Sequence, residues 1–309
     1  MRNKSAALLI IVLVALVAKV KAYDPYVDGA AAALNLMVED DMGECVKDVL
    51  LEVAFQVSPM RANVLKGSTD DKGRFRAVGR TIGSINVWAG KDGYYKTHIR
   101  ISPCDLSDGR VTQGRRWAVG DISERIVLKK KRNPVQLTFH SVAFKPFPAT
   151  NEVVKLDLES LEWCPPYGNG RHDDLHLIFD GWRNPQDWDD YHEHLKVAFP
   201  NGVDGAYRLS VDSTSAFRHA YRAQTNAVYQ KELEFRHVHT VDGIKESKTL
   251  PPDAYFVYRV RTETNALGQV THAHYGRIGE PFTQYFGLTM KSWFNPVDND
   301  TNLECAGGR

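Results

Sequence analysis

The sequence predicts an all-β protein in which two β-sandwich domains in tandem follow a signal peptide. Three observations support this fold class. In short runs, apolar residues alternate with polar ones at every second position. This is the period of a strand that has one face on a core. Turns that contain aspartate and glycine separate the runs. The same pattern recurs through the second half of the chain.

The first 22 residues have the features of a signal peptide. Arg2 and Lys4 precede an apolar run over residues 6–18, and Val20 and Ala22 favour cleavage after Ala22. An uncleaved membrane anchor is the alternative, but the run is shorter than the about 20 residues that span a bilayer. No second hydrophobic stretch follows, so we expect no transmembrane segment after cleavage. The expected location is secreted, periplasmic or in the cell envelope.

The charge balance of the mature chain argues against a nucleic-acid ligand. After the signal segment, 287 residues remain, with 35 Lys and Arg against 38 Asp and Glu, because four of the 39 basic residues lie in the first 22 positions. A net charge of −3 is not typical of polyphosphate binders. The one basic block, residues 129–132, is interpreted as a solvated strand end.

All four cysteines lie in the exported part of the chain, where an oxidising compartment permits two disulfides. Pairing within domains would join Cys45 to Cys104 and Cys164 to Cys305. Four reduced, separately buried thiols are an equal alternative, because a chain of this size does not need disulfides to fold. The spacings match no zinc motif.

The first domain begins, after a leader at residues 23–33, with two predicted strands joined by a turn at residues 39–44. Residues 34–38 form the first strand, and one face of the second carries Leu51, Val53, Phe55 and Val57. Three more strands follow between residues 67 and 101, with inward positions Phe75, Ala77, Ile85, Val87, Ala89, Thr97, Ile99 and Ile101. Gly73 and Gly93 supply the positive φ of the tight turns between them.

Several of these motifs together resemble the carboxypeptidase regulatory-like domain, a transthyretin-like β-sandwich. They are a D-x-x-G turn, a T-D-x-x-G-x-F segment and a K-x-G-Y segment, present here as Asp40-Asp41-Met42-Gly43, Thr69-Asp70-Asp71-Lys72-Gly73-Arg74-Phe75 and Lys91-Asp92-Gly93-Tyr94. The resemblance covers about residues 34–103. It implies a non-catalytic module of an exported or cell-envelope protein, and it brings no peptidase activity with it.

The junction between the domains is predicted between residues 132 and 150. Residues 103–120 are rich in Gly, Asp and Arg and are expected to form a long loop, whereas Ile126 and Leu128 mark a closing strand. Prolines at positions 134, 146 and 148 then interrupt the pattern. The predicted domains therefore span residues 34–131 and 150–309.

The second half has seven alternating segments, which predict a second, immunoglobulin-like β-sandwich of no recognised family. Their inward residues are Val154-Leu156-Leu158, Leu175-Leu177-Phe179, Leu195-Val197-Phe199, Tyr207-Leu209-Val211, Leu233-Phe235, Phe256-Tyr258-Val260 and the run Val270-Thr271-His272. Residues 213–234 also permit a helix, because Phe217, Ala220 and Tyr221 are spaced by three or four. Their Thr and Asn content disfavours that alternative.

Three His-x-His pairs are candidate metal ligands, because residues two apart share a face of a strand. His192 and His194 share the face of Lys196, so we interpret them as solvated. His237 and His239 are in phase with the inward residues of their strand, and His272 and His274 form the third pair. The last two pairs would make a four-histidine site if their strands were neighbours; the alternative is that each histidine is exposed or locally hydrogen-bonded.

Five aromatic residues among carboxylates form a candidate ligand-binding surface: Trp163, Tyr167, Trp182, Trp188 and Tyr191. Sugar rings stack their C–H faces on flat aromatic groups, and carboxylates accept hydrogen bonds from their hydroxyls. The nearby acids are Asp173, Asp174, Asp187, Asp189, Asp190 and Glu193, and two of them at a suitable separation would hydrolyse a glycosidic bond. The alternative is that the aromatic side chains close the ends of a sandwich while the acids solvate its loops.

The sequence carries none of the catalytic motifs H-E-x-x-H, the serine nucleophile elbow or the phosphate-binding glycine loop. We therefore predict no catalytic residue and no cofactor. The predicted function is binding, adhesion or scaffolding at the cell envelope, with a glycan or an envelope protein as partner. The alternative is a carbohydrate-active or metal-dependent hydrolase with its site in the second half.

Overall fold

The computed structural model describes residues 30–102, 121–211, 214–243, 245–248, 251, 253–279, 283–284 and 287–306. The predicted signal peptide, the predicted loop at residues 103–120 and Cys104 lie outside these ranges. The described residues form nineteen β-strands and no helix, which confirms the all-β fold class. Within these ranges no helix has the length and hydrophobicity of a membrane span. The chain divides after Lys130 into two compact units.

In the part of the chain that the structure describes, the first unit has seven strands in two sheets. They are β1 (Ala30–Asp40), β2 (Leu50–Ser58), β3 (Arg61–Ser68), β4 (Arg74–Thr81), β5 (Ile85–Gly90), β6 (Thr97–Ile101) and β7 (Asp121–Leu128). The sheet orders are β4-β1-β7 and β3-β2-β5-β6, and only the β1–β7 pair is parallel. Alternate side chains of both sheets, such as Leu34, Val53, Val87 and Ile126, share one buried core.

Two turns of the first unit have the same construction. Asp40 Oδ1 accepts hydrogen bonds from the backbone N–H groups two and four residues later, both at 2.9 Å, and Asp70 Oδ1 does the same at 2.9 and 2.8 Å. Gly43 and Gly73 follow three residues after these aspartates, with φ of 84° and 69°. Each D-x-x-G sequence is therefore a closed hairpin loop, because the aspartate binds the backbone and the glycine accepts the left-handed conformation.

The second unit has twelve strands among the described residues. They are β8 (Thr138–Pro146), β9 (Val153–Asp157), β10 (Glu162–Trp163), β11 (Leu175–Arg183), β12 (Tyr191–Ala198), β13 (Gly205–Ser210), β14 (Glu232–His239), β15 (Lys245–Lys248), β16 (Ala254–Thr264), β17 (Val270–Gly279), β18 (Thr283–Gln284) and β19 (Gly287–Phe294). One sheet has the order β10-β9-β11-β12-β14-β15. The other has the order β13-β16-β17-β19-β18, with β8 also paired to β19.

Both sheets of the second unit contribute to one large core, which includes Leu177, Leu195, Phe256 and Met290. The second sheet is also buried on its other face, where Tyr255 and Val257 pack in a smaller cluster with Ala223, Tyr229 and other residues. Residues from the irregular segment 214–231 therefore cover this face. The segment contains turns and isolated bridges rather than the alternative helix.

The region expected to be the junction belongs to the second unit. β8 lies within residues 132–150 and pairs along β19 from Thr138 to Pro146. The prolines that were interpreted as interruptions flank this strand or end it, because an edge strand tolerates a residue without an N–H group. The first unit accordingly ends at Lys130, and the second begins at Lys131.

The cysteines show free thiols at two of the predicted pairing positions. Cys45 is exposed, and Cys164 is buried and donates a hydrogen bond from Sγ to the carbonyl oxygen of His172 at 3.2 Å. Cys164 thus corresponds to the reduced, buried alternative, and its predicted disulfide with Cys305 is not formed. The pairing of Cys45 with Cys104 stays a prediction, because Cys104 lies outside the described residues.

Candidate functional site

The connection between β11 and β12 presents an aromatic side chain at one end of the second unit. Its loop is closed by Asn184, which donates from its backbone N–H to the Asp190 carbonyl at 2.9 Å and from Nδ2 to the Asp190 carboxylate at 3.1 Å. The N–H of Asp189 donates to Asp187 Oδ1 at 3.0 Å. These hydrogen bonds give the loop a defined shape although it carries three acidic residues. Trp188 lies at the tip of the loop, with 69% of its surface exposed.

Arg183 connects this tryptophan to the sheet. The guanidinium carbon lies 4.7 Å from the centre of the Trp188 ring and 5.5 Å from that of Tyr191, and Nε donates to the Trp188 carbonyl at 3.2 Å. Arg183 and Tyr191 are cross-strand partners, so their side chains project to the same face. The cation therefore holds two aromatic rings side by side.

Tyr191 begins a row of polar groups that continues across β12 and β14. Its hydroxyl lies 3.0 Å from His237 Nε2, and His237 Nδ1 lies 3.9 Å from Glu193 Oε2. The His239 ring is edge-on to Tyr191 with a centroid separation of 6.1 Å. Glu193 is buried because it shares the inward face with Leu195. We call Arg183, Trp188, Tyr191, Glu193, His237 and His239 the aromatic–histidine cluster.

A second polar cluster surrounds Arg261 in the same unit. Nε and Nη2 donate to the two oxygens of Asp174, both at 3.0 Å, Nη1 donates to Glu159 Oε2 at 2.8 Å, and Nη2 donates to Asp157 Oδ1 at 3.3 Å. Asp157 and Asp174 are almost fully buried. Three carboxylates thus share one guanidinium in an environment of low dielectric, where paired charges interact strongly.

The Asp157 carboxylate also organises the surrounding backbone. It accepts hydrogen bonds from the N–H groups of Glu159 and Arg171, both at 2.9 Å, and of His172 at 3.3 Å. Burial by itself raises the pKa of Asp157, but the N–H donors of Arg171 and Glu159 and the charge of Arg261 outweigh it, so the pKa lies below its ordinary value. Asp157 is therefore charged at neutral pH and has few lone pairs left.

Three side chains near Arg261 have the composition of a metal site. Asp157, Glu159 and His172 each place one ligand atom within 4.8 Å of the other two, and no other such group of three is found in the described part of the chain. His172 Nδ1 lies 3.6 Å from Asp157 Oδ2 and 3.9 Å from Glu159 Oε2. The donor set suits a divalent cation, but the Arg261 guanidinium already neutralises the same carboxylates.

Two of the five predicted aromatic residues belong to the aromatic–histidine cluster, namely Trp188 and Tyr191. Trp163 is buried in β10, at the opposite edge of the sheet, and packs on Phe147 with a centroid separation of 5.8 Å. The Tyr167 hydroxyl donates to Glu152 at 3.2 Å. Trp182 is exposed on the other face of the sheet, opposite His192. The predicted surface of five aromatic residues is thus divided among different places.

The four-histidine site is not assembled. His237 and His239 lie on β14, and His272 and His274 lie on β17 in the other sheet. His272 Nδ1 pairs with the Asp298 carboxylate, and His274 Nδ1 lies 3.2 Å from the Asn295 carbonyl oxygen. The pairs take separate partners because β14 and β17 are not neighbouring strands.

Arg183 and Arg261 were missed by the sequence reasoning, for different reasons. Arg183 is in phase with Leu177 and Phe179, so the alternation places this charged residue on the inward face of the strand. A charge at the end of such an apolar series was the signal in the sequence that could have identified it. Arg261 follows the inward Val260 and has a φ of 56° at an irregular register between β16 and β17. No local pattern indicates that such a residue turns back to buried acids.

Comparison with known proteins provides little context. No family model matches the chain, and no curated protein matches it. Among solved structures, it is similar to 3-chlorocatechol 1,2-dioxygenase from Rhodococcus opacus 1CP, with 14% identity over 33% of this chain and 61% of that one and a TM-score of 0.27. For catechol 1,2-dioxygenase from Pseudomonas arvilla C-1, the identity is 14% over 36% of this chain and 54% of that one, with a TM-score of 0.25. The chain thus spans less than two thirds of these enzymes, and the similarity supports no conclusion about function.

Proposed function

We propose that this chain is an exported, non-catalytic β-sandwich protein that binds a glycan through the aromatic–histidine cluster. The observation that carries the proposal is the exposed Trp188 ring, which Arg183 holds beside Tyr191. An exposed and pre-positioned indole offers a face for the C–H groups of a sugar ring at little ordering cost. The Tyr191 hydroxyl and the imidazoles of His237 and His239 supply hydrogen-bonding groups next to that face.

For the first unit we infer a supporting role as a carboxypeptidase regulatory-like module in adhesion or scaffolding at the cell envelope. The inference rests on the D-x-x-G turns closed by Asp40 and Asp70 and on seven strands in two sheets around one core. Its export is inferred from residues 1–22, whose basic and apolar segments are typical of a signal peptide.

The experiment that tests the proposal is a glycan array probed with the secreted protein, with metal analysis of the same sample. We expect saturable binding to a subset of glycans and no stoichiometric metal. Binding to no glycan at any concentration at which the protein stays soluble would contradict the proposal.

A metal-dependent hydrolase is the second candidate, because Asp157, Glu159 and His172 are close enough to share a cation. This candidate requires the cation to compete with Arg261 for Asp157 and Glu159. Metal analysis of the secreted protein distinguishes the two candidates. Stoichiometric zinc, manganese or calcium that is lost in His172→Ala would favour the hydrolase over the non-catalytic binding protein.

A further inference from the structure

β8 is an open edge strand of the second unit. It pairs along one side with β19, from Thr138 to Pro146, and with no other strand among the described residues. In an antiparallel pair, about half of the backbone N–H and C=O groups point away from the partner strand. Apart from the ladder, the one hydrogen bond to the β8 backbone within the described ranges is from Thr289 Oγ1 to the Ala143 carbonyl oxygen, at 2.8 Å. We call this unpaired side of the strand the β8 edge.

The β8 edge lacks the charged side chains with which sheet proteins protect an edge from further pairing. Residues 138–144 include no Lys, Arg, Asp or Glu. Lys145, near the end of the strand, is held elsewhere, because its Nζ lies 2.9 Å from Glu162 Oε2 and donates to the Leu161 carbonyl oxygen at 2.8 Å. Pro146 removes a backbone donor only at the last position of the strand.

The other edge strands of four or more residues in the described part of the chain all carry charges. These are Arg61 and Lys66 on β3, Arg74, Arg76 and Arg80 on β4, Arg100 on β6, Asp121, Glu124 and Arg125 on β7, Arg208 on β13, and Lys245, Glu246 and Lys248 on β15. A strand that paired with one of these edges would have to desolvate charged groups, which costs free energy. Pairing therefore costs least at the β8 edge.

Two exposed phenylalanine side chains provide apolar surface beside this edge. Phe139 and Phe144 are 39% and 55% exposed. Phe139 is the cross-strand partner of Trp293, with a ring-centroid separation of 4.9 Å, on the face of the sheet opposite the large core. Phe144 packs over Gly287 on the same face, since the neighbouring Leu288 points into that core. A strand added at the β8 edge would remove part of both rings from water.

We propose that the β8 edge is a homodimer interface, formed by antiparallel pairing of β8 with β8 of a second copy of this chain. In a two-fold antiparallel pair each residue faces a residue of the same strand, so an uncharged strand meets no like charge in its partner. The exposed phenylalanine rings of both copies then lie on one continuous face. The aromatic–histidine cluster lies on strands of the other sheet, so this proposal does not depend on glycan binding.

The test is sedimentation equilibrium of the secreted protein over a range of concentrations. A strand of nine residues extends over about 30 Å, so the interface is small and the dimer should dissociate on dilution. We expect the molar mass to rise from that of one chain at about 1 μM to that of two chains at about 300 μM. The mass of a single chain at every concentration would overturn the proposal, whether or not the edge binds a strand of another protein.

Ser141→Lys locates the interface. Ser141 is exposed at the middle of β8, so a lysine there displaces no packed side chain but places like charges near the two-fold axis. We expect dimerisation to weaken by about tenfold or more. Ser141→Thr, which adds no charge, should retain the dimer. Val64→Lys places the same charge on the exposed strand β3 of the first unit and should leave dimerisation unchanged.

A mixture of Ser141→Lys and Ser141→Glu distinguishes charge repulsion from a loss of folding. Opposite charges then meet across the axis, so the mixture should recover the dimer that Ser141→Lys alone does not form. Undiminished dimerisation of Ser141→Lys, an equal loss in Val64→Lys, or no recovery in the mixture would refute the assignment.

Discussion

Arg261 is the residue on which the buried charges of the second unit depend. Its backbone lies in the left-handed region, at φ of 56°, which costs roughly 1 kcal/mol for a residue with a Cβ. The conformation is maintained because its N–H donates to Asp204 at 2.9 Å while its side chain pairs with three acids. Backbone strain and charge pairing are thus combined in one residue.

Arg261→Gln should destabilise the protein by about 3 kcal/mol, because Asp157 and Asp174 would remain buried without their cation. Urea unfolding at neutral pH measures the change. Arg236→Gln is the matched control: its ion pair with Glu246 has side chains 38% and 46% exposed, so its loss should cost at most about 1 kcal/mol. Equal destabilisation of the two variants would show that the Arg261 network contributes no special stability.

The pKa of Asp157 makes stability depend on pH in one direction. Because the folded-state pKa is below the ordinary value, the stabilisation is complete above the unfolded-state pKa of about 3.9 and is lost as the pH falls through the folded-state value. The free energy of unfolding of Asp157→Asn should therefore be lower than that of the parent at pH 7 and approach it below pH 4. Asp71→Asn, at a side chain that is 92% exposed, is the control and should leave the free energy of unfolding close to that of the parent. If the free energies of unfolding of Asp157→Asn and the parent differed by the same amount from pH 7 to below pH 4, the pKa of Asp157 would not be lowered by folding.

At the scale of elements, the turns offer a matched comparison. Gly43 and Gly73 occupy the same position in two turns of the same construction. A Cβ atom added at Gly73 would lie 2.5 Å from the Val38 carbonyl oxygen, whereas a Cβ atom added at Gly43 would have no other atom within 4 Å. Gly43→Ala should cost about 1 kcal/mol for the left-handed backbone alone. Gly73→Ala should cost a further ~1–3 kcal/mol for the collision. Thermal or urea unfolding of both variants distinguishes them, and equal costs would show that the Val38 contact does not matter.

Strands with one buried face were predictable, and those without one were not. β2, β5 and β11 alternate and were found, whereas β19 is buried on both faces and has no period of two. β3 was not predicted for the opposite reason, because nearly all of its side chains are exposed. β8 was not predicted, because the prolines beside it and at its end were interpreted as interruptions. The aromatic–histidine cluster was predicted only in part, since it requires the pairing of β12 with β14, which no local pattern contains.

At the scale of the whole molecule, each unit encloses its own hydrophobic core. A fragment of residues 23–130 and a fragment of residues 131–309 should therefore each unfold in one cooperative transition when expressed separately. Circular dichroism during thermal unfolding measures this. A fragment that shows β-sheet signal without a cooperative transition, or that is wholly unfolded, would mean that its core is incomplete without the other half.

We propose that Trp188 is a ligand-binding surface and not a chance exposed side chain. The most direct measurement is the affinity of Trp188→Ala for the strongest glycan on the array, compared with that of Trp88→Ala. Trp88 is also exposed, at 42%, but it lies in the first unit and stacks on His98. We expect the affinity of Trp188→Ala to fall by about tenfold or more, in line with the loss of a stacked aromatic contact, and that of Trp88→Ala to stay unchanged. Unchanged glycan affinity in Trp188→Ala would contradict it.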